Sequence, residues 1–93
     1  MDPLTISGFQ SHIRGKYYEA DVARGTARTW LCLSEEFGEL ARALLKNNDR
    51  ANLEEEFADV VAWLCTLANI NDVDLSAAIA KKYLGDDAPT GIK

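Results

Sequence analysis

The chain has 93 residues and a formal net charge of −5, a balance that excludes the class of nucleic-acid-binding modules that depend on a basic surface. No apolar run approaches the roughly 18 residues that a membrane-spanning helix needs, so we expect neither polymeric nucleic acid nor a membrane as a partner. The two cysteines, Cys32 and Cys65, lack zinc-site spacing and follow no signal peptide, which predicts free thiols in a reducing cytoplasm.

The first half of the sequence predicts two helices. The first helix covers about residues 4–18, with the Asp-Pro pair at residues 2–3 as its start signal. A turn at residues 19–26 is centred on Gly25. The second helix covers about residues 27–47 and ends in the sequence Asn-Asn-Asp at 47–49, because Asn and Asp favour turns.

The second half predicts two more helices. Asn52 is the expected N-cap of a third helix that runs to about residue 69, with Glu55 completing a capping box. Asp74 caps a fourth helix at about residues 75–84, and Gly85 ends it. No stretch alternates with period two. We therefore expect an all-α fold of about four short helices in a single domain at 1–93, with a helical core at about 4–84 and a loose tail at 85–93.

A short acidic pattern occurs twice, 20 positions apart. Residues 33–44 read LSEEFGELARAL and residues 53–64 read LEEEFADVVAWL. The shared part is Glu-x-x-Glu at Glu36 and Glu39, followed by Glu-x-x-Asp at Glu56 and Asp59. At about 100° per residue, each pair lies on one helix face and flanks the apolar stripe of its helix. The pattern therefore predicts carboxylates beside the core.

An antiparallel helix hairpin that turns near residues 47–48 brings Glu36 level with Asp59, and Glu39 level with Glu56. At ~5 Å and an effective dielectric constant of about 20, each pair of like charges repels by roughly 3 kcal/mol. Protonation or a cation must offset this repulsion, and oxygen ligands favour Mg²⁺ or Mn²⁺ over zinc. A solvated, Glu-rich surface is the alternative, but two copies in phase with the core favour a metal site on the central hairpin.

At these residues the chain resembles the MazG-like nucleotide pyrophosphohydrolases of the all-α NTP pyrophosphatase group. That group is recognised by ExxE, a spacer and ExxD, which here are EFGE at 36–39 and EFAD at 56–59, with 16 residues between them. The D-x-x-R-G string at 21–25 and the Lys-Tyr pair at 82–83 also resemble members of the group. The similarity covers about residues 18–83.

The resemblance implies hydrolysis of a nucleoside triphosphate between the α and β phosphates, which gives the monophosphate and pyrophosphate, in the service of nucleotide-pool housecleaning. It implies that Mg²⁺, with Mn²⁺ as a substitute, is bound by Glu36, Glu39, Glu56 and Asp59. One of these carboxylates, with Glu36 and Glu39 as the catalytic candidates, would help to deprotonate the attacking water. Metal ions suit this reaction because they neutralise phosphate charge and lower the pKa of bound water.

Four further residues are candidates for substrate binding, namely Lys82, Arg24, Arg28 and Trp63. The cationic side chains suit phosphate oxygens, whereas ordinary helix-end charges and a solvated turn pair are the alternatives. Trp63 projects beside two of the carboxylates and is a candidate to stack on a base, although we favour a core or interface position for it.

The third helix is apolar nearly all round, with Phe57 among its expected core residues and Phe37 opposite on the second helix. A helix of this kind is buried on several sides, and four short helices can scarcely surround it. We therefore expect a homodimer or a dimer of dimers, in which oligomerisation assembles a larger helical bundle.

Two other functions compete with the pyrophosphohydrolase. A carboxylate-bridged di-iron bundle requires Glu-x-x-His, whereas Glu39 and Asp59 stand where histidine belongs. A non-catalytic protein would be a helical oligomerisation module or a regulatory nucleotide-binding module. Metal-dependent turnover separates that alternative from the enzyme, because in a scaffold Glu36→Gln should raise stability with no loss of role.

Overall fold

A computed structural model of the chain describes residues 3–91. It contains four helices, α1 (Ile6–Arg24), α2 (Thr26–Lys46), α3 (Arg50–Ile70) and α4 (Leu75–Tyr83), and no strand within the described range. The all-α prediction is confirmed. None of these helices is long and apolar enough to span a lipid bilayer.

Helix α1 is longer than predicted. It begins after Thr5, whose hydroxyl accepts a hydrogen bond from the Gly8 backbone at 2.9 Å, and the predicted Asp2 start signal lies outside the described residues. It continues to Arg24 and ends at Gly25, where φ is +83°. The predicted turn over residues 19–26 is wrong, because a single glycine in this conformation is enough to reverse the chain. The residues before it bury Asp21 against α3 and so stay helical.

The predicted N-cap of α3 is wrong by three positions. Asn52 lies inside the helix, and the Asp49 carboxylate caps it by accepting from the Asn52 backbone N–H at 3.1 Å. Asn47 ends α2 in the left-handed conformation, with φ 46° and ψ 41°. The connection is therefore only three residues long, and α2 and α3 form a tight antiparallel hairpin. The Asp74 cap of α4 is present as predicted, accepting from Ala77 at 3.0 Å.

Helix α3 is the centre of the fold and packs against both α2 and α1. The core of the described chain contains six buried apolar side chains: Ile13, Leu33, Ala43, Leu53, Cys65 and Ala68. Polar contacts fix α1 to the α3–α4 turn, since Gln10 donates to Asn69 Oδ1 at 2.9 Å and accepts from the Leu75 backbone at 3.0 Å. Among the described elements, α1 therefore packs on one side of the α2–α3 hairpin.

The other side of the hairpin is apolar and open. The side chains that form this open face are Trp30, Phe37 and Leu44 on α2 with Phe57 on α3, whereas Val61 and Leu64 line an apolar groove with the start of α1 and with α4. Phe37 is 46% exposed and Phe57 51% exposed, so the prediction that both are core residues is wrong for the single chain. The reason is that α1 covers one flank of α3 and α2 another, and no described element covers the third.

Candidate metal centre

Three carboxylates meet where α2 and α3 run antiparallel. Glu36, Glu56 and Asp59 each offer one oxygen, and the three oxygens lie within 4.8 Å of one another. The close approach follows from the short 47–49 connection, which sets the register predicted from the sequence. Glu36 and Glu56 are partly buried, whereas Asp59 is exposed. Three convergent oxygens at this spacing can hold one cation.

Glu39 joins the cluster as a neighbour of two of its members. The negative charge of its carboxylate raises the pKa of both Glu36 and Glu56, although its oxygens fall outside the tight three-oxygen set. Since Glu39 lies three residues after Glu36, it shares the same face of α2. All four acidic residues of the repeated pattern are therefore assembled at one site.

One oxygen of each partly buried glutamate has no hydrogen-bond partner. Glu36 Oε2 and Glu56 Oε2 are both shielded from solvent and lack a donor among the described residues. Buried polar atoms are otherwise almost always paired, because an unmet carboxylate oxygen loses its hydration without compensation. A donor set made of carboxylate oxygens alone fits a hard divalent cation such as Mg²⁺ or Mn²⁺.

Burial raises the pKa of Glu36 above its ordinary value, and the negative charges of Glu39, Asp59 and Glu56 raise it further. Burial is also the first cause of the raised pKa of Glu56, followed by the negative charge of Glu39. Both causes disfavour the charged form. The cluster in the absence of a cation is therefore poised to take up positive charge, as a proton or as a metal ion.

Among residues 3–91, no lysine or arginine forms a direct ion pair with the acidic cluster. Within residues 3–91 the one salt bridge joins Arg24 to Asp21. A shallow groove of about 210 Å³ begins at Glu39 and Glu56 and extends toward the end of the hairpin, where Arg42 and Lys46 line it. These two cations lie one and two helical turns after Glu39, a position suited to the outer end of a polyphosphate.

Two of the predicted substrate residues come together in a second cleft. The Arg24 guanidinium carbon lies 4.9 Å from the centroid of the Trp63 ring, so the cation covers one face of the indole. Both residues line a cleft of about 300 Å³. Trp63 is half-buried and lies one turn after Asp59 on α3.

The remaining two candidates, Lys82 and Arg28, are exposed and form no ion pair with the acidic cluster in the described part of the chain. Lys82 lies on α4, where its ammonium group is 5.2 Å from the Tyr83 ring centroid. Helix α4 packs beside α1. A role for Lys82 or Arg28 in substrate binding stays a prediction.

Sequence reasoning missed Asp21, which is 3% exposed and hydrogen-bonds both Arg24 and Thr66. The available signal was the D-x-x-R spacing, which sets the two side chains one helical turn apart. It also missed Arg42 and Lys46. Their signal was spacing too, because both follow Glu39 at three and seven residues, close to its face of α2.

Comparison with known proteins agrees with this arrangement. No curated protein sequence matches the chain. The model of the MazG nucleotide pyrophosphohydrolase domain matches residues 24–84, about two thirds of the chain and all four clustered carboxylates. The chain belongs to the MazG nucleotide pyrophosphohydrolase family.

Proposed function

We propose that the protein is a Mg²⁺-dependent nucleoside triphosphate pyrophosphohydrolase, which cleaves the α–β phosphate bond and serves nucleotide-pool housecleaning. The observation that carries the proposal is the pair of shielded, partnerless oxygens on Glu36 and Glu56 within the acidic cluster. A scaffold gains nothing from burying such oxygens, whereas a metal enzyme needs them free for a cation. Family membership supports the same reaction class.

Glu36, Glu56 and Asp59 are the residues that would hold Mg²⁺, and Glu39 would complete the set. When bound, the ion neutralises phosphate charge and lowers the pKa of coordinated water. Glu39 is exposed and is the carboxylate least constrained by the three-oxygen set, so we assign it the proton taken from the attacking water. The exposed Asp59 leaves one side of the cluster open for the substrate.

Hydrolysis forms a bond from the water oxygen to the α phosphorus and breaks the bond from that phosphorus to the bridging oxygen. Pyrophosphate leaves with the bridging oxygen. Arg42 and Lys46, which line the groove beside Glu39, are suited to hold its charge. Arg28 and Lys82 would act at a greater distance, as general attraction for an anionic substrate.

Pyrophosphate release from a panel of canonical and modified nucleoside triphosphates tests this function. Each assay is run with Mg²⁺, with Mn²⁺ and with chelator. We expect release that requires the metal, with the monophosphate as the co-product. A folded protein that releases nothing across the panel would instead be a binding or regulatory module built on the same acidic cluster.

We also propose that the protein acts as a homodimer, or as a dimer of dimers, in the cytoplasm. The single chain has an accessible surface of 7138 Å², whereas a folded monomer of 10.3 kDa is expected to have about 5,400 Å². The excess of roughly 1,800 Å² per chain exceeds the about 800 Å² that each partner loses in a standard interface. It matches an obligate dimer, which commonly buries more than 2,000 Å² in total.

The open face of the hairpin is the surface that a second copy would cover. Trp30, Phe37 and Leu44 recur at intervals of seven residues, the spacing of a helix that packs along another helix. Two antiparallel hairpins related by a two-fold axis present identical faces to each other and close into a four-helix bundle. Phe37 and Phe57 directly follow Glu36 and Glu56, so dimerisation would also exclude water from one flank of the metal ligands.

A further inference from the structure

One carboxylate outside the metal cluster is more deeply buried than any member of it. Asp21 is 3% exposed, and aspartate is almost never buried to this degree unless it is paired. Its Oδ1 accepts from Arg24 Nη1 at 3.0 Å and its Oδ2 accepts from the Thr66 hydroxyl at 3.1 Å. Asp21 therefore ties the end of α1 to α3 through one oxygen and fixes an arginine with the other.

The Arg24 guanidinium is held on several sides. Besides Asp21, it donates to the Thr29 hydroxyl of α2 at 3.4 Å, and its central carbon lies 4.9 Å from the centroid of the Trp63 ring. Both hydrogen bonds use Nη1, which leaves the Nε and Nη2 donors for a ligand. The side chain keeps 26% of its surface exposed, so the outer part of the group faces the cleft. An arginine fixed in this way loses little further freedom when a ligand binds.

The cleft beside Arg24 has the composition of a small-molecule site. Its lining combines an apolar side chain, two aromatic rings and three polar groups: Ile13, Tyr17, Trp63, Asp21, Arg24 and Thr66. Sites for small ligands are concave and mostly apolar, with a few fixed polar groups. Tyr17 is 43% exposed at the edge of the cleft and adds a second aromatic surface.

The cleft lies beside the acidic cluster and on the opposite side from Arg42 and Lys46. Trp63 and Thr66 follow Asp59 by four and seven residues on the same face of α3, which is about 6 and 10 Å along the helix axis. The groove with Arg42 and Lys46 continues the other way, toward the hairpin end. A nucleotide with its phosphates over the carboxylates would thus have its nucleoside at one end and its terminal phosphate at the other.

We propose that this cleft binds the nucleoside half of the substrate, with the outer face of Arg24 as a stacking surface for the base and Asp21 as the positioning residue that holds it. The assignment rests on the proposed function, because that function makes a nucleotide the ligand. Asp21 offsets the charge of Arg24, which makes the guanidinium a poor phosphate clamp but leaves its flat face for an aromatic ring. Arg24 thereby acts on the base and not on the triphosphate.

The test measures the affinity of nucleoside monophosphates by calorimetry in the presence of chelator, so that it does not depend on turnover. Arg24→Lys keeps the charge and loses the planar surface, and we expect it to weaken the affinity about tenfold. Affinity for inorganic tripolyphosphate should not change. Arg50→Lys, at the exposed start of α3, is the matched control and should bind like the wild type.

Asp21→Asn tests the positioning role, with circular dichroism as the check of folding. It should weaken monophosphate binding in the same direction as Arg24→Lys, and in turnover assays both variants should raise KM and leave kcat within about twofold. If Asp21→Asn does not fold, Arg24→Lys alone decides. The proposal is overturned if Arg24→Lys binds the monophosphate as tightly as the wild type, or if it loses as much affinity for tripolyphosphate as for the monophosphate. It is also overturned if a folded Asp21→Asn binds the monophosphate as tightly as the wild type. Arg24-dependent binding without any pyrophosphate release would support the cleft and refute the proposed reaction.

Discussion

Glu36 and Glu56 are the residues that most strongly indicate a metal site. Each has one oxygen that is shielded from solvent and unmatched by a hydrogen-bond donor, and burial raises the pKa of both groups. Neighbouring carboxylates strengthen the effect, since Glu39 lies beside both residues. An arrangement that lowers stability in the absence of a cation is typical of a site retained for function.

Glu36→Gln should separate function from stability. The amide removes a negative charge from the cluster, so the metal-free variant should melt at a higher temperature than the wild type. It should also lose at least about 100-fold in metal-dependent pyrophosphate release, because a ligand is gone. Calorimetric melting and the release assay measure the two effects. Glu35→Gln is the control, since Glu35 is exposed and outside the cluster, and it should change neither; unchanged turnover in Glu36→Gln would refute the site.

The raised pKa values predict how stability depends on pH. In the folded state the pKa of both glutamates is raised above its ordinary value of 4.5, so both bind a proton more tightly in the folded than in the unfolded chain. Their contribution to the free energy of unfolding is therefore most favourable below pH 4.5, and it is lost as pH rises from 4.5 through the folded-state pKa values. Metal-free protein should lose stability from these groups as pH rises from mildly acidic values toward neutral, and saturating Mg²⁺ should remove that dependence. Denaturant titrations across this pH range measure the free energy of unfolding with chelator and with Mg²⁺. The prediction would be contradicted if the free energy changed with pH in the same way under both conditions.

At the scale of the helix, the hairpin connection decides whether the carboxylates meet. The turn contains only residues 47–49, with Asn47 in the left-handed conformation and Asp49 capping α3. A longer connection would leave the register of α2 and α3 free to shift. Glu36 and Asp59 lie about three turns from this connection on either side, so its geometry is transmitted to the site by two rigid helices.

Asp49→Ala should therefore cost about 1 kcal/mol of stability, the usual effect of losing an N-cap side chain. Asn52→Ala is the matched control. Asn52 contributes only its backbone N–H to the cap, so the alanine variant should be neutral or slightly stabilising. Urea unfolding of the two variants measures the difference. Equal destabilisation by both substitutions would show that the cap is not at Asp49.

The existence of the helices and the acidic cluster was predictable from local information. Start signals, caps and turn residues indicated all four helices, and the symmetric spacing of Glu36 and Asp59 about the turn predicted that their carboxylates meet. The end of α1 was not predictable, because the hydrogen bond that Asp21 accepts from Thr66 on α3 helps to keep residues 19–24 helical and is a contact between residues distant in sequence. The exposure of Phe37 and Phe57 was missed for a similar reason. Periodicity identifies an apolar face but not the element that covers it.

At the scale of the whole molecule, the chain has more surface than its mass requires. Few side chains of the described chain are fully buried, and the open face lies on the same hairpin as the acidic cluster. A domain of this size has a modest core, so burying that face in a second copy would supply stability that the single chain lacks. The proposed dimer interface and the acidic cluster would then be linked through Phe37 and Phe57.

Leu44→Lys should disrupt the proposed dimer. A charge at this position lies on the open face and would be buried without a partner on association. Sedimentation should show the wild type at twice 10.3 kDa or a multiple of that, and the variant shifted toward 10.3 kDa. Leu45→Lys is the matched control, because Leu45 is 86% exposed and lies off the seven-residue stripe, so it should sediment like the wild type. A wild-type protein that sediments only as a monomer would contradict the dimer.

The proposed α–β cleavage is tested most directly by ³¹P nuclear magnetic resonance of the products formed from a nucleoside triphosphate in the presence of Mg²⁺. The acidic cluster and the family predict resonances of the nucleoside monophosphate and pyrophosphate, absent with chelator and absent in Glu36→Gln. Resonances of the diphosphate and inorganic phosphate would show attack at the γ phosphorus, and would contradict the α–β cleavage assigned to this site.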